Sequence, residues 1–241
     1  MNYTTDTTIA TPQHPAAASW AELGSFGLDS AWLTKLVLNP AHRGVRDALR
    51  DVNTMHQTLM KIVCPTDFGP GSRTAAGMLY RVDQTAAGVT ALLQSRMTLD
   101  PTRLPPGFAH AGSRDLAPLL ACFSDGMRIR YRIVANAMKS DKPIGHKTRG
   151  VLRPLSGADA AAWWNRKALE VGLALESEAA ADTMKLTGFR HRDERKIVIT
   201  ATLFEGTARI DSVSAIQAAI LTGIGRGRAY GCGLLSVAPL K

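Results

Sequence analysis

Three groups of residues in this chain have types and spacings that could do chemistry. The first is Gly223-Ile-Gly-Arg-Gly-Arg-Ala-Tyr-Gly-Cys-Gly233, five glycines in eleven residues with Arg226 and Arg228 between them. Bare backbone at Gly223 and Gly225 lets the chain approach an anion closely, and the two guanidiniums supply charge, so the stretch reads as a phosphate-binding loop. A Gly-rich turn between a helix and a last strand reads equally well. A dinucleotide fingerprint is excluded, because a helix-like segment at residues 212 to 222 precedes the loop and only eight residues follow it, leaving no room for a βαβ unit. The second group is a basic run: residues 127 to 154 hold eight cations (Arg128, Arg130, Arg132, Lys139, Lys142, Lys147, Arg149, Arg153) against one acid, Asp141. The third is a single proton carrier, His56, whose ordinary pKa is roughly 6.5. Taken alone, His56 reads as a surface histidine on a helix.

Composition narrows the class. The chain has 241 residues, 45% of them hydrophobic, enough for one large core or two small ones. Its 29 Lys and Arg against 20 Asp and Glu give a formal charge of +9, which favours a polyanionic partner. No run of eighteen apolar residues and no basic-then-apolar leader occurs, so a soluble cytoplasmic protein without a membrane partner is expected. The three cysteines (Cys64, Cys122, Cys232) are odd in number and lack metal-ligand spacing; they imply reduced thiols and no metal site.

The elements that must position these groups follow from periodicity. Residues 1 to 30, rich in Thr, Ala, Pro and Ser, read as a flexible extension. Trp32-Leu-Thr-Lys-Leu-Val-Leu38 reads as a strand ended by Asn39-Pro40. After the basic stretch His42, Arg43, Arg46, Arg50, Asp51 can cap a helix carrying Val52, Met55, Leu59 and Ile62 or Val63 on one stripe. A Gly- and Pro-rich loop, residues 64 to 73, leads to strands at 77–82 and 88–94 joined by a turn. Residues 116 to 123 fit a helix or a strand, and the domain boundary is placed near 120. The second half repeats the order: an alternating strand at 127–134 with arginines on one face, a basic loop, a helix at 158–173 with Trp163 and Trp164, strands at 184–190 and 196–204, a helix from Ser212, the Gly loop and a closing strand. The expected fold is α+β, two tandem ferredoxin-like (RRM-like, βαββαβ) domains spanning 31–120 and 121–241.

Several of these stretches together resemble the CasE family, the endoribonuclease subunit of type I-E CRISPR Cascade complexes. The resemblance rests on Trp32-Leu-Thr-Lys-Leu-Val-Leu-Asn-Pro40, on Met55-His56-x-x-Leu59-x-Lys61, and on Arg130-Tyr-Arg-Ile-Val-Ala-Asn136. It continues at the Trp-containing helix, at Phe204-Glu-Gly206, at Gly223-Ile-Gly225 and at Gly231-Cys-Gly-Leu-Leu-Ser-Val-Ala-Pro-Leu240. It covers residues 32 to 241, leaving the first thirty without a counterpart.

That resemblance implies binding of the CRISPR repeat hairpin and metal-independent cleavage at its 3′ base, with no cofactor. The ribose 2′-OH attacks the adjacent phosphate, leaving a 2′,3′-cyclic phosphate on the mature crRNA, and the protein stays bound beside the other Cascade subunits. His56 takes the position of the family's catalytic histidine and Lys61 that of a lysine assigned to the scissile phosphate. Asn53 stands where the family often has Tyr; an amide can hydrogen-bond a phosphate or ribose but carries no proton at neutral pH. The second proton carrier is therefore open among Tyr80, Tyr131, Tyr230 and the RNA itself. Lys139, Lys142, Lys147, Arg149 and Arg153 resemble the segment that meets the hairpin stem, where single charges position phosphates; a solvated charged surface is the plainer reading. The remaining histidines read as ordinary, His191 within a basic turn. Trp163 and Trp164 read as core anchors. Two other functions fit the residues: a non-catalytic subunit that holds the crRNA 3′ hairpin, and a general basic RNA-binding protein.

Overall fold

The alternating run after Ala31 forms strand β1, Trp32–Leu38, with Leu36 and Leu38 buried and Lys35 and Val37 facing solvent. The structure is a computed structural model that describes residues 31–63, 71–141, 150–177 and 180–240. The expected extension at 1–30, Cys64, and the candidate RNA-binding residues Lys142, Lys147 and Arg149 lie outside the described residues.

The stretch read only as basic is a helix, α1 (Arg43–Arg50), capped by His42, whose Nδ1 accepts from the Gly44 N–H at 3.1 Å. Only Val45 and Ala48 of it are buried. Asp51 then caps α2 (Val52–Val63) as expected: its Oδ1 accepts from the N–H groups of Asn53 at 2.7 Å and Thr54 at 2.9 Å, satisfying donors a helix start leaves free. Met55, Leu59 and Ile62 form the buried stripe. A short α3 (Ser72–Ala75) precedes β2 (Leu79–Thr85) and β3 (Gly88–Ser95), and β4 (Ala109–Asp115) completes an antiparallel sheet of order β2-β3-β1-β4. This is the ferredoxin-like order, but a 3₁₀ turn at Pro101–Arg103 stands where the second crossover helix would be. Residues 116 to 123, open in the sequence reading, hold a one-turn helix, α4 (Ala117–Ala121).

The second unit contains β5 (Arg128–Ala135), a two-stranded hairpin of β6 (Met138–Asp141) and β7 (Val151–Pro154), α5 (Gly157–Glu170), β8 (Leu173–Leu175), β9 (Ala180–Arg190), β10 (Arg195–Ile210), α6 (Val213–Thr222) and β11 (Ser236–Pro239). Its sheet runs β11-β5-β10-β8, with β9 also paired to β10. Within it Trp164 stacks on Phe204 at 5.5 Å and Trp163 at 6.4 Å, and both are buried, as core anchors should be. Strand β10 is sixteen residues long. Its first seven residues pair with β9 alone, so the β9–β10 ribbon extends past the sheet as an arm that reaches α2. No helix among the described residues is long and apolar enough to cross a membrane.

The two units are joined through buried polar groups. Arg81 on β2, 3% exposed, gives Nε to Asp83 at 2.9 Å and Nη1 to the Arg132 carbonyl of β5 at 3.1 Å and Ser236 Oγ of β11 at 2.8 Å. Gln94 on β3, also buried, donates to the Ile220 carbonyl of α6 at 2.9 Å. Removing one partner of such a buried ion pair strands the other's charge. Arg81→Ala is expected to lower the unfolding free energy by about 3–5 kcal/mol in a urea titration; a loss under about 1 kcal/mol, the size of an exposed pair, would show that the clasp does not hold the units together.

Candidate active site

His56 lies on α2 one turn past Asn53, and the Gly loop of the second unit closes over it. All five glycines of that loop have φ between 75° and 86°, a region strained for any residue with a Cβ. At Gly233 a Cβ would also stand 2.7 Å from the Ile224 carbonyl oxygen. The loop closes on itself: Ile224 N–H reaches the Gly233 carbonyl at 2.9 Å, Gly233 N–H reaches Val134 at 2.7 Å, and Tyr230 N–H reaches Gly227 at 2.8 Å. Of the two readings open for the loop, the turn describes its backbone; the arginine side chains are what it offers to an anion. Arg226 is exposed, and Arg228 is half-buried with Nη1 on the Thr222 carbonyl at 2.9 Å.

The turn Arg228–Tyr230 brings one side chain, Tyr230, to His56. The Tyr230 ring stands edge-on to the imidazole, centroids 5.9 Å apart at 70°. The cation beside His56 is Arg73 of α3, held by the Met78 carbonyl at 2.8 Å and Thr74 Oγ1 at 3.0 Å. Burial first, and then Arg73, push the His56 pKa down to about 4. Burial and then Arg228 push the Arg73 guanidinium below its usual value. Neither Arg73 nor Arg228 has an ion-pair partner among the described residues. The His56 Nδ1 is buried without a hydrogen-bond partner, which leaves Nε2 as the nitrogen able to meet a substrate.

The other sequence candidates are distributed differently. Lys61 is exposed at the far end of α2, roughly 140° round the helix from His56. Tyr80 is 1% exposed with its hydroxyl on the Val52 carbonyl at 3.3 Å, and burial pushes its pKa well up. Tyr131 is fully buried against Trp164 in the second core. Of the three candidate tyrosines, the structure brings Tyr230 to the histidine. Lys139 and Arg153 face each other across the β6–β7 hairpin, Arg153 paired to Asp141 at 2.8 Å. Arg73 was missed in the sequence because it stands at the end of a Pro- and Gly-rich stretch with no periodicity to place it.

Asn53 is 5% exposed, and its Nδ2 donates to the Phe189 carbonyl at 3.1 Å. Asp51 Oδ2 accepts from the Phe189 N–H at 2.9 Å while Oδ1 caps α2. Both main-chain groups of Phe189 are thus held, as a further strand would hold them, by the start of the helix that carries His56. Gly188 makes the approach feasible: a Cβ there would lie 2.8 Å from Asp51 Oδ1 and 3.1 Å from Asn53 N. The structure thus commits the Asn53 amide nitrogen to the arm.

Two outcomes test this geometry. Asp51→Ala removes a helix cap and an arm contact together and is expected to destabilise by about 2 kcal/mol, near the top of the range for a cap, with faster amide exchange in 186–190 than in β5. Equal exchange in both would refute the tether. The second concerns pH. With His56 near 4 in the free protein, kcat/KM for a reaction it serves as base is expected to hold from pH 7 to about 5 and fall below about 4, because that ratio reports the free enzyme's pKa. Arg73→Met is expected to move this acid limb upward; a limb near 6.5 in the unaltered protein would contradict the burial. The same depressed pKa means that stability present above about 6.5 is lost as pH falls toward 4, where the unfolded chain binds a proton the folded one refuses.

Residues 31–239 match the family described as CRISPR associated protein. The CRISPR-associated endoribonuclease Cse3 of Thermus thermophilus is 32% identical over 222 residues, covering 86% of this chain and all of its own. The structure of Thermus thermophilus Cse3 bound to an RNA representing a pre-cleavage complex superposes with a TM-score of 0.72 at 30% identity, over 87% of this chain and 100% of that one. A chain of a CRISPR RNA-guided surveillance complex, pre-nicking, gives 0.65 at 35% identity, over 87% and 100%. With its two ferredoxin-like units and with His56 under the Gly loop, the chain belongs to the CRISPR-associated protein family that includes Cse3, the CasE family its sequence motifs resemble.

Proposed function

We propose that the chain is a metal-independent endoribonuclease that cleaves the repeat hairpin of precursor CRISPR RNA and remains bound to the mature crRNA as a subunit of a cytoplasmic Cascade complex. The observation that carries the reading is a neutral, half-buried histidine beside the Arg73 guanidinium, itself close to Arg228, neither arginine having an acidic partner among the described residues. Such a pocket takes up a phosphate, whose charge Arg73 and Arg228 neutralise, and presents an uncharged imidazole to the adjacent ribose. His56 Nε2 accepts the 2′-OH proton; the 2′ oxygen bonds to phosphorus, and the bond to the 5′ oxygen breaks. Tyr230, the tyrosine at the histidine, gives its proton to the departing 5′ oxygen and is reprotonated from water. The arginines meet the charge of the pentacoordinate phosphorane, where prepositioned donors act most strongly.

Residues 31–120 form the domain that carries His56, and 121–241 the domain that supplies the Gly loop and the hairpin-binding surface. Lys61, beyond the pocket, meets a flanking phosphate. Lys139, Arg153 and the intervening Lys142, Lys147 and Arg149 line the hairpin stem with Arg226, while Gly223 and Gly225 shape the loop. The second reading, a subunit that holds the hairpin without cutting it, is favoured by the commitment of Asn53 to the arm.

End-labelled repeat RNA incubated with the protein in excess EDTA separates the two. Cleavage that leaves a 2′,3′-cyclic phosphate, is abolished by a 2′-deoxy at the cut site and falls by at least about 10²-fold in His56→Ala, the scale of a lost general base, is the expected result. Tight binding with intact RNA in every lane would establish the non-catalytic subunit.

A further inference from the structure

The β9–β10 arm has two unlike faces. Met184, Leu186, Ile197, Ile199 and Ala201 turn inward against Val52, Val134, Tyr230 and Cys232. On the other face Lys185, Thr187, Phe189, Lys196 and Val198, with His191 in the turn, are all exposed. Phe189 pairs with Lys196 and Thr187 with Val198, so the two apolar side chains are diagonal neighbours, 38% and 56% exposed. The face holds no acid; in the turn, Asp193 is paired to Arg190 at 2.9 Å and Glu194 occupies a left-handed position at φ 50°.

A solitary exposed phenylalanine needs no explanation, but this one is fixed. Its N–H and C=O are held by Asp51 and Asn53, and its ring packs at 71° and 4.9 Å on His191. The clamp lies one helical turn from His56, the spacing of same-face neighbours on a helix. A rigid aromatic with an open side, flanked by lysines and with its backbone clamped to the start of the helix that carries His56, is the arrangement that binds single-stranded nucleic acid by stacking. A base within the hairpin stem has no free face, whereas an unpaired nucleotide next to the stem has one.

We propose that Phe189 is the stacking platform for an unpaired nucleobase flanking the cleaved bond, with Lys185 and Lys196 on its neighbouring phosphates. The proposal rests on the endoribonuclease reading above.

The test uses the full chain and repeat RNA made uncleavable by a 2′-deoxy at the cut site. Fluorescent 2-aminopurine is placed singly at each unpaired position beside the hairpin. One position is expected to be quenched severalfold on binding. Phe189→Ala is expected to abolish that quench and weaken binding of the flanked RNA roughly tenfold or more, while Phe189→Tyr retains both and the isolated stem binds both variants as it binds the parent. No quenched position, a quench unchanged in Phe189→Ala, or an equal loss for the bare stem would each overturn the platform. Failure of the nuclease reading registers separately, as intact unmodified RNA in the cleavage assay.

Discussion

The site depends on the buried guanidinium of Arg81. His56 belongs to the first sheet unit, whereas Tyr230 and Arg228 belong to a loop that follows the last helix of the second. Neither unit alone holds the pocket. Arg81 spends its donors on Asp83 in its own strand and on Arg132 and Ser236 of the other unit, so its Nη1 finds its acceptors only when the sheets are correctly apposed. Apolar contacts tolerate sliding by a fraction of a side chain, but a buried guanidinium loses the energy of its hydrogen bonds if its acceptors move. Gln94 fixes a second point, on α6, the helix from which the Gly loop departs. Two such points set the position and the angle of the loop over α2.

The first half of the chain was legible where burial imposes a period. The first strand and α2 each bury one face, and the stripes of Leu36, Leu38 and of Met55, Leu59, Ile62 wrote themselves into the sequence. The helix α1 did not, because it buries only Val45 and Ala48 and gives the rest of its surface to arginines. Edge strand β4, Ala-His-Ala-Gly-Ser-Arg-Asp, has a backbone paired on one side and side chains mostly in solvent, so no alternation marks it. The missing second crossover helix is the same kind of silence: residues 96 to 108 carry prolines but no stripe.

The site was legible only in its motif residues. His56 and the Gly loop stood out by type, and the resemblance placed them. Arg73 could not be placed, since its position beside His56 comes from a one-turn helix and a carbonyl at Met78. The Asn53 amide meets a carbonyl 136 residues away, a distance over which no local pattern carries information. Asn53 stood out in the sequence only as an amide at a position where the family it resembles often has Tyr, and its bond to the arm is visible only in the fold.

The electrostatics of the pocket make sense only with an anion in place. Arg228, close enough to hold the Arg73 guanidinium below its usual value, and a histidine held neutral by burial and by Arg73, form an arrangement with unrelieved positive potential. A phosphate seated between Arg73 and Arg228 reverses the sign of the local field. It relaxes the repulsion and raises the proton affinity of His56 toward the range in which imidazole is an effective base near neutral pH. In the proposed reaction the histidine is therefore a poor base in the empty protein and a better one beside a bound phosphate, so that the charge proposed to bind the RNA also activates the group proposed to cut it. The rigid clasp at Arg81 matters here as well, because a field of this kind is screened over about 8–10 Å at ordinary ionic strength and is strongest on His56 when the loop stays closed over it and keeps water out.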